Sequence, residues 1–498
     1  MKNKTVKKFK HMFLDDRCIK EMNGTRLVIN QPEKHPANPI LAAGKTWEEG
    51  KAVGQLNSLI YDTDEKLFKV WYNLTWNRNF GPGPEWKAMA YATSTDGVHW
   101  KKPSLGLVEF NGSKDNNILF NNNIYGTVFK DASETRCERK YKMAFAASGE
   151  GLSLAGTYQP INAAYSPDGI HWTIPGHKEK HWPYQFHSEL PFTTNPIMPE
   201  GTDAITDYSW YWDADLRRYI ALLRPTWNVP RCVCMSESDD FVHWTPRRVI
   251  LQPDEKDPHH VSNFHGMTVM RYDEYYIGFL EVYHTEDDYE YYMAYHTITP
   301  DMPTWQETMD VQLAMSYDGR NWKRVADRGT FIPCGKDGEF DRGLVLPRSH
   351  PFVLNDEIWI YYQACPDRHN FAEHKSKGRY RSTGLARLRK DGFVSIDAEK
   401  EGTVLSRNLK MTPYDILLNA SAKNGRILAE AVTPMGDVIE GFSRDDCVPF
   451  TGDSLEHMVQ WKHGRQLVSI IDTLWGGFCL KFYMEQAKLY SFTLTWEQ

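Results

Sequence analysis

Short runs that are apolar on both sides recur along this chain: KLFKVWYNLTW (66–76), KYKMAFAAS (140–148), RYIALLRPTW (218–227), YYIGFLEVYH (275–284) and EIWIYYQAC (357–365). A half-buried strand alternates apolar and polar residues, so runs without that alternation predict strands covered on both faces. Each run is followed by a turn phrase: STDGVHW (94–100), SPDGIHW (166–172), SESDDFVHW (236–244), SYDGRNW (316–322) and RLRKDGFVS (387–395). The third copy has Phe in place of Gly, and the last lacks the Trp. The turn aspartates Asp96, Asp168, Asp240, Asp318 and Asp391 stand 72, 72, 78 and 73 residues apart. Five copies of a strand–strand–turn unit predict a repeat architecture.

In a β-propeller each blade is a four-stranded antiparallel sheet between neighbours, which leaves its middle strands buried twice. The Ser and Asp side chains can hydrogen-bond the turn backbone, while Gly supplies a positive φ. A Trp three residues later is placed to wedge between blades. Beyond residue 392 the pattern changes to strands without the repeat (GTVLSRNLKM, DILLNASA, GRILAEAVT, SLEHMVQW, CLKFYMEQAKLYSFTL). The expected fold is therefore all-β: a five-bladed β-propeller over 40–392 followed by a C-terminal β-sandwich over 393–498. Residues 1–39 are expected to pack on one or the other.

A length of 498 residues exceeds one ordinary domain unless a repeat absorbs it. The formal charge of −7, with no long basic run beyond the first ten residues, argues against a nucleic-acid partner. MKNKTVKKFKHMFLDD is basic but has no apolar core, and no run of eighteen apolar residues follows, so no membrane partner and a cytoplasmic location are expected. The eight cysteines are scattered without metal-ligand spacing, which suits buried, reduced thiols. The unusual figure is the aromatic load of 17 Trp, 26 Tyr and 23 Phe: most will fill cores, and the remainder can line a sugar site.

In a propeller the first strand of each blade begins at one end of the central axis, where the second ends and the third begins. Polar residues at those places converge on one funnel. Blade one offers Glu48, Glu49, Gln55, Asn57 and Trp76; blade two offers Tyr125; blade three offers Asp203 and Asp207. Blade four offers His265, Glu281, His284 and Asp310, and blade five Asp341, Arg342, Arg348, His350, Asp367, Arg368 and His369. Hydrolysis of a glycosidic bond needs one carboxyl to protonate the leaving oxygen and another to attack or to activate water. No cofactor is expected. The three histidines of HHVSNFH (259–265) lack an acidic residue at a recognised interval, so no metal is expected, and neither GxxxxGK[ST] nor GxSxG occurs.

The five units, with KHPANPIL (34–41), FLDDRCI (13–19) and TSTDGVHWKKPSLGLVEFNGSKDNNILF (93–120), resemble the invertase- and levanase-like glycoside hydrolases (family thirty-two) and the arabinanase-like furanosidases. The resemblance covers most of the chain and implies an Asp nucleophile on the first blade, an Asp stabiliser on the third and a Glu acid/base on the fourth. Asp207, five residues before Trp212, matches the stabiliser by register, although Thr206 and Tyr208 stand where Arg and Pro are expected. The Asn-Asp-Pro-Asn-Gly phrase is absent from GQLNSLIYD, and FHGM stands where Glu-Cys is expected.

The expected function is thus a glycoside hydrolase acting on a small carbohydrate, exo-acting on a furanose-type terminal sugar. Asp207, Asp310 and Asp341 are the expected catalytic carboxylates. Glu48, Trp76, Asp203, His265, Glu281, His284, Arg348, His350, Asp367 and His369 are the expected substrate contacts. A glycoside phosphorylase or transferase on the same scaffold, using Arg348, His350, Arg368 and His369 on an oxyanion, is one alternative. A non-catalytic sugar-binding propeller is another.

Overall fold

The computed structural model describes residues 6–48, 52–76, 86–120, 124–147, 159–175, 197–202, 209–224, 231–285, 303–369, 381–410, 413–464, 466–467 and 476–497. The fold is all-β: among the described residues 55% are in strands and 3% in helix. No described helix is long and apolar enough to cross a membrane.

Four short strands open the chain: β1 (Val6–Met12), β2 (Ile19–Asn23), β3 (Arg26–Ile29) and β4 (Glu33–Lys34). Antiparallel sheets built from consecutive strands follow. The first contains β5 (Ala52–Asp62), β6 (Leu67–Trp76), β7 (Trp86–Ser94) and β8 (Ile118–Phe120). The second contains β9 (Ile124–Lys130), β10 (Tyr141–Ala147), β11 (Gln159–Ser166) and β12 (Met198–Thr202). The third contains β13 (Ser209–Asp213), β14 (Arg218–Leu223), β15 (Val233–Ser238) and β16 (Arg248–Leu251). In the fourth, β17 (Val261–Tyr272), β18 (Tyr275–His284) and β19 (Thr308–Ser316) carry β20 (Lys323–Arg324) and β21 (Thr330–Ile332) along β19. In the fifth, β22 (Leu344–Pro347) and β23 (Phe352–Leu354) both pair with β24 (Glu357–Cys365), followed by β25 (Ser382–Arg389). A single parallel bridge, Met309 to Leu344, joins the fourth and fifth sheets.

The last sheet is built on long strands: β26 (Val394–Ser406), β27 (Ile416–Val432), β28 (Phe450–Met458) and β29 (Cys479–Glu497). Register shifts interrupt β26 against β29 between Ala398 and Glu401, and β27 against β29 between Ser421 and Arg426. Such bulges bend and twist a ladder. The opening strands find partners far along the chain: β1 pairs with β29, β2 and β3 with β26, and β4 with β25, where it supplies an outer strand of the fifth sheet.

The doubly apolar strands have the burial their composition predicts, since β18 is buried at nine of ten positions and β19 at all nine. Buried clusters lie between successive sheets in cyclic order. Trp71, Tyr91, Val128 and Tyr141 join the first sheet to the second, and Phe129, Ala144, Trp210 and Tyr219 the second to the third. Ile220, Val233, Phe264 and Leu280 join the third to the fourth, and Phe279, Val311, Ile358 and Ile360 the fourth to the fifth. Val70, Tyr72, Trp359 and Tyr361 join the fifth back to the first.

The repeated turns end the third strands, and four of them are the same device. Asp96 Oδ1 accepts the backbone N–H groups of Val98 and His99 at 2.9 and 2.8 Å, and its Oδ2 lies 2.7 Å from His99 Nδ1. Asp168 and Asp240 repeat this with His171 and His243, and Asp318 with Asn321. Asp391, the fifth aspartate in the sequence repeat, does something else. It is buried, and its carboxylate accepts from Lys10, Tyr272, Ser491 and Asn419.

Candidate active site

The expected chemistry concentrates where β17 begins, β18 ends and β19 begins. His265 sits in a register shift of β17, between the pairs Phe264–Val282 and Gly266–Glu281. Bulges re-aim a side chain, and His265 Nδ1 lies 3.2 Å from Glu281 Oε2 and 3.2 Å from Arg348 Nη2. Arg348 Nη2 lies 3.3 Å from the same carboxylate oxygen. All three side chains are buried, Glu281 to 1% exposure. The ring of His369 stands edge-on to His265 at 5.4 Å and to Tyr283 at 5.2 Å. Burial above all, then the charges of Arg224, Arg348 and Arg231, hold His265 well below the ordinary imidazole pKa, so it is neutral.

The fifth sheet reaches this place because Gly343 lets two segments touch. Its N–H donates to Cys365 O at 3.0 Å, its carbonyl accepts from Met309 N–H at 3.0 Å, and a Cβ there would stand 2.1 Å from Asp367 O. Asp367 and Arg368 are buried beside His369, with Arg368 Nη1 donating to Pro303 O at 3.3 Å.

Strand alternation divides residues that the funnel argument grouped together. Asp310 pairs across the sheet with Val282, and Glu281 pairs with Val311. Neighbours on a strand point to opposite faces, so Asp310 and His284 share the face toward the third sheet while Glu281 and Tyr283 face the fifth. His284 Nε2 lies 3.0 Å from Asp310 Oδ1, and Thr330 Oγ1 donates to Asp310 Oδ2 at 2.9 Å. These are two separate polar centres on one sheet.

Other expected contacts are held by protein groups elsewhere. Asp341 Oδ2 lies 2.7 Å from Lys34 Nζ on β4 and accepts from Tyr362 OH at 2.9 Å. Glu48 is fully buried and accepts from the N–H groups of Gly44 and Lys45, from Tyr72 OH and from Lys102 Nζ. Its four donors make it an anchor for the entry to β5. His350 belongs to the far end of β17: Nδ1 is 2.6 Å from Val269 O, and Nε2 is 3.2 Å from Ser209 Oγ. It borders a cavity of about 560 Å³ there, with Tyr211, Trp212, Arg271 and Phe352. Asp203 and Asp207 lie outside the described residues, as do the side chains of Trp76 and Tyr125.

Sequence reasoning passed over Glu307, Arg224 and Arg231. Glu307 is buried just ahead of β19 and accepts from Tyr283 OH, and from Thr285 Oγ1 at 3.2 Å. Arg224 follows the second strand of the third sheet, and Arg231 precedes its third strand. Both fall at the positions used to choose candidates in the fourth sheet.

No family model matches this sequence, and no curated protein sequence matches it. Solved structures similar to it include a β-1,2-mannobiose phosphorylase from Listeria innocua (12% identity, TM-score 0.46, covering 72% of this chain and 97% of that one). An N-acetylgalactosamine deacetylase from F. plautii is 15% identical, with TM-score 0.44 and coverage of 74% and 97%. A fructofuranosidase from Schwanniomyces occidentalis is 12% identical, with TM-score 0.41 and coverage of 95% and 100%.

Proposed function

We propose that this chain is a glycoside hydrolase acting on a small glycoside or oligosaccharide. In this reading the five sheets between residues 40 and 392 are the blades of a β-propeller, because their buried layers run cyclically and the fifth returns to the first. Residues 393–498 form the β-sandwich, with the segment 1–39 bound to both. The observation that carries the functional reading is Glu281: a buried carboxylate gripped by His265 and Arg348 where three strands converge. The guanidinium and the imidazole fix the orientation of this carboxylate, as a group that attacks an anomeric carbon or activates water requires. The resemblance assigns a second carboxyl to Asp207. Asp310, paired with His284 on the opposite face of the sheet, lies apart from Glu281 and serves as the control carboxylate.

The reading is tested by turnover of aryl glycosides and natural oligosaccharides by wild type and by Glu281→Gln, Asp207→Asn and Asp310→Asn. For Glu281→Gln we expect turnover to fall about 10²-fold or more with saccharide binding retained. Near-normal turnover with a lowered Tm would make Glu281 a structural carboxylate. Saccharide binding without turnover in the wild type would leave a binding propeller instead.

A further inference from the structure

Groups from the third and fifth sheets meet at His265 on the fourth. Arg348 Nη2 is 3.2 Å from its Nδ1, and the His369 ring lies 5.4 Å away. Arg231 Cζ stands 5.7 Å from the centroid of Tyr283, the ring that His369 also meets. The backbone fixes Arg231 in place: its N–H donates to Asn263 Oδ1 at 3.0 Å, and its carbonyl accepts from Phe264 N–H at 2.9 Å. Arg224 and Arg348 are buried, whereas Arg231 and His369 keep part of their surface open to solvent. Among the described residues, the carboxylates beside the cluster include Glu281, engaged by Arg348 and His265, Glu307, engaged by Tyr283 and Thr285, and Asp367, buried next to His369.

We propose that Arg224, Arg231 and Arg348, with the imidazoles of His265 and His369, form a subsite for a compact oxyanion: the carboxylate of an acidic sugar or free phosphate. A guanidinium offers a planar fork of N–H donors that matches two oxygens of either group. After burial, the guanidinium charges of Arg224, Arg348 and Arg231 are the largest influences lowering the pKa of His265, which places all three near its ring. The single N–H of neutral His265 is taken by Glu281, so His265 lines the subsite and the guanidinium groups supply the donors to the anion. If the anion belongs to the sugar, it orients the substrate. If it is phosphate, a phosphate oxygen displaces the leaving group: the anomeric C–O bond breaks, a C–O–P linkage forms, and the proton released by phosphate ends on the leaving hydroxyl. What is done with the anion rests on the glycosidase reading; its binding does not.

Binding is measured by calorimetry and by thermal shift with phosphate, sulfate and glucuronate on the full chain, with glucose as the neutral control. We expect saturable binding of at least one anion, weakened about 10-fold or more in Arg231→Gln, with Arg231→Lys in between. The ligand-free Tm of each variant shows whether the fold is intact. Faster turnover of neutral glycosides on adding phosphate identifies phosphate as the anion. Turnover of uronides alone, indifferent to phosphate, identifies the sugar carboxylate. Anion binding with no turnover of any saccharide keeps the subsite and removes the hydrolase. No saturable anion binding by wild type, or equal binding by a folded Arg231→Gln, overturns the subsite.

Discussion

At the scale of single residues, the repeated turn shows how one backbone shape is met by two chemistries. Gly97, Gly169 and Gly319 take φ of 75°, 81° and 69°, and Phe241 takes 67° at the same place in the third copy. A Cβ on Gly97 would stand 2.4 Å from Tyr361 Oη and 2.9 Å from Trp359, so the neighbouring sheet already fills that space. At Phe241 the residue's own ring does the filling, with Tyr219 at 5.4 Å, Phe129 at 5.5 Å and Trp244 at 5.8 Å. The left-handed conformation costs a non-glycine residue about 1–2 kcal/mol, while a fully buried Phe contributes about 3–5 kcal/mol relative to Ala. Phe241→Ala is therefore expected to lose about 3–5 kcal/mol by urea denaturation. Phe241→Gly should lose about 1 kcal/mol less, the reverse of the usual Ala–Gly order. The ordinary order, or a loss under 1 kcal/mol, would refute this account.

Among the elements, β1 links distant parts of the chain. It pairs with β29, and its Lys10 reaches Asp391 at 2.7 Å, where Tyr272 of β17, Asn419 of β27 and Ser491 of β29 also donate. One buried carboxylate thus ties the opening strand, the fourth sheet and the last sheet together. Burial alone would raise its pKa; Lys10 and the hydroxyl donors outweigh that and lower it. Lys10 keeps Asp273 at 2.6 Å, but removing the Asp391 carboxylate leaves buried Tyr272, Ser491 and Asn419 without their acceptor, at a cost of about 1–3 kcal/mol. Asp391→Ala should lose that much, and Lys10→Met combined with it should lose less than the two single losses summed. Additive losses, or a loss below 1 kcal/mol for Asp391→Ala, would show that the sheets are held by apolar contacts alone.

For the whole molecule, acid stability follows from groups spread through it. Burial pushes His11, stacked on Phe492 at 4.5 Å, down to about 4. Its folded pKa lies below its ordinary value, so the unfolded chain binds the proton first. Stability is then complete above about pH 6.5 and declines toward pH 4. Asp62, Asp131 and Asp391 are lowered carboxyls, where hydrogen bonds from Lys and Tyr outweigh burial. Their contribution is complete above about pH 4 and is lost as pH falls through their folded values. Tm should therefore decline in two stages, from about pH 6.5 and again below about pH 4. His11→Gln should lessen the first stage by about 1–3 kcal/mol, the rest coming from His265 and His350, which burial lowers in the same direction. A Tm unchanged between pH 7 and 4.5 would contradict it.

The doubly apolar runs and their turns were legible as strands because burial on both faces dictates composition position by position. The glycosidic expectation came from which polar residues sit at strand ends, and His265, Glu281 and Arg348 do meet there. Pairing across hundreds of residues leaves little local signal. Nothing within EK at 33–34 indicates that it supplies an outer strand to the fifth sheet, or that Lys34 neutralises Asp341. Spacing likewise placed Glu281, His284 and Asp310 in one funnel, whereas strand alternation and register put Glu281 on one face and the other two on the opposite face. Sequence alone therefore determined which segments become strands and turns, since those choices depend on local burial and backbone preference. Which carboxylates are neutralised by structure, and which of them share a site, was decided only by the tertiary fold, because a charge is set by the groups brought within a few ångströms of it.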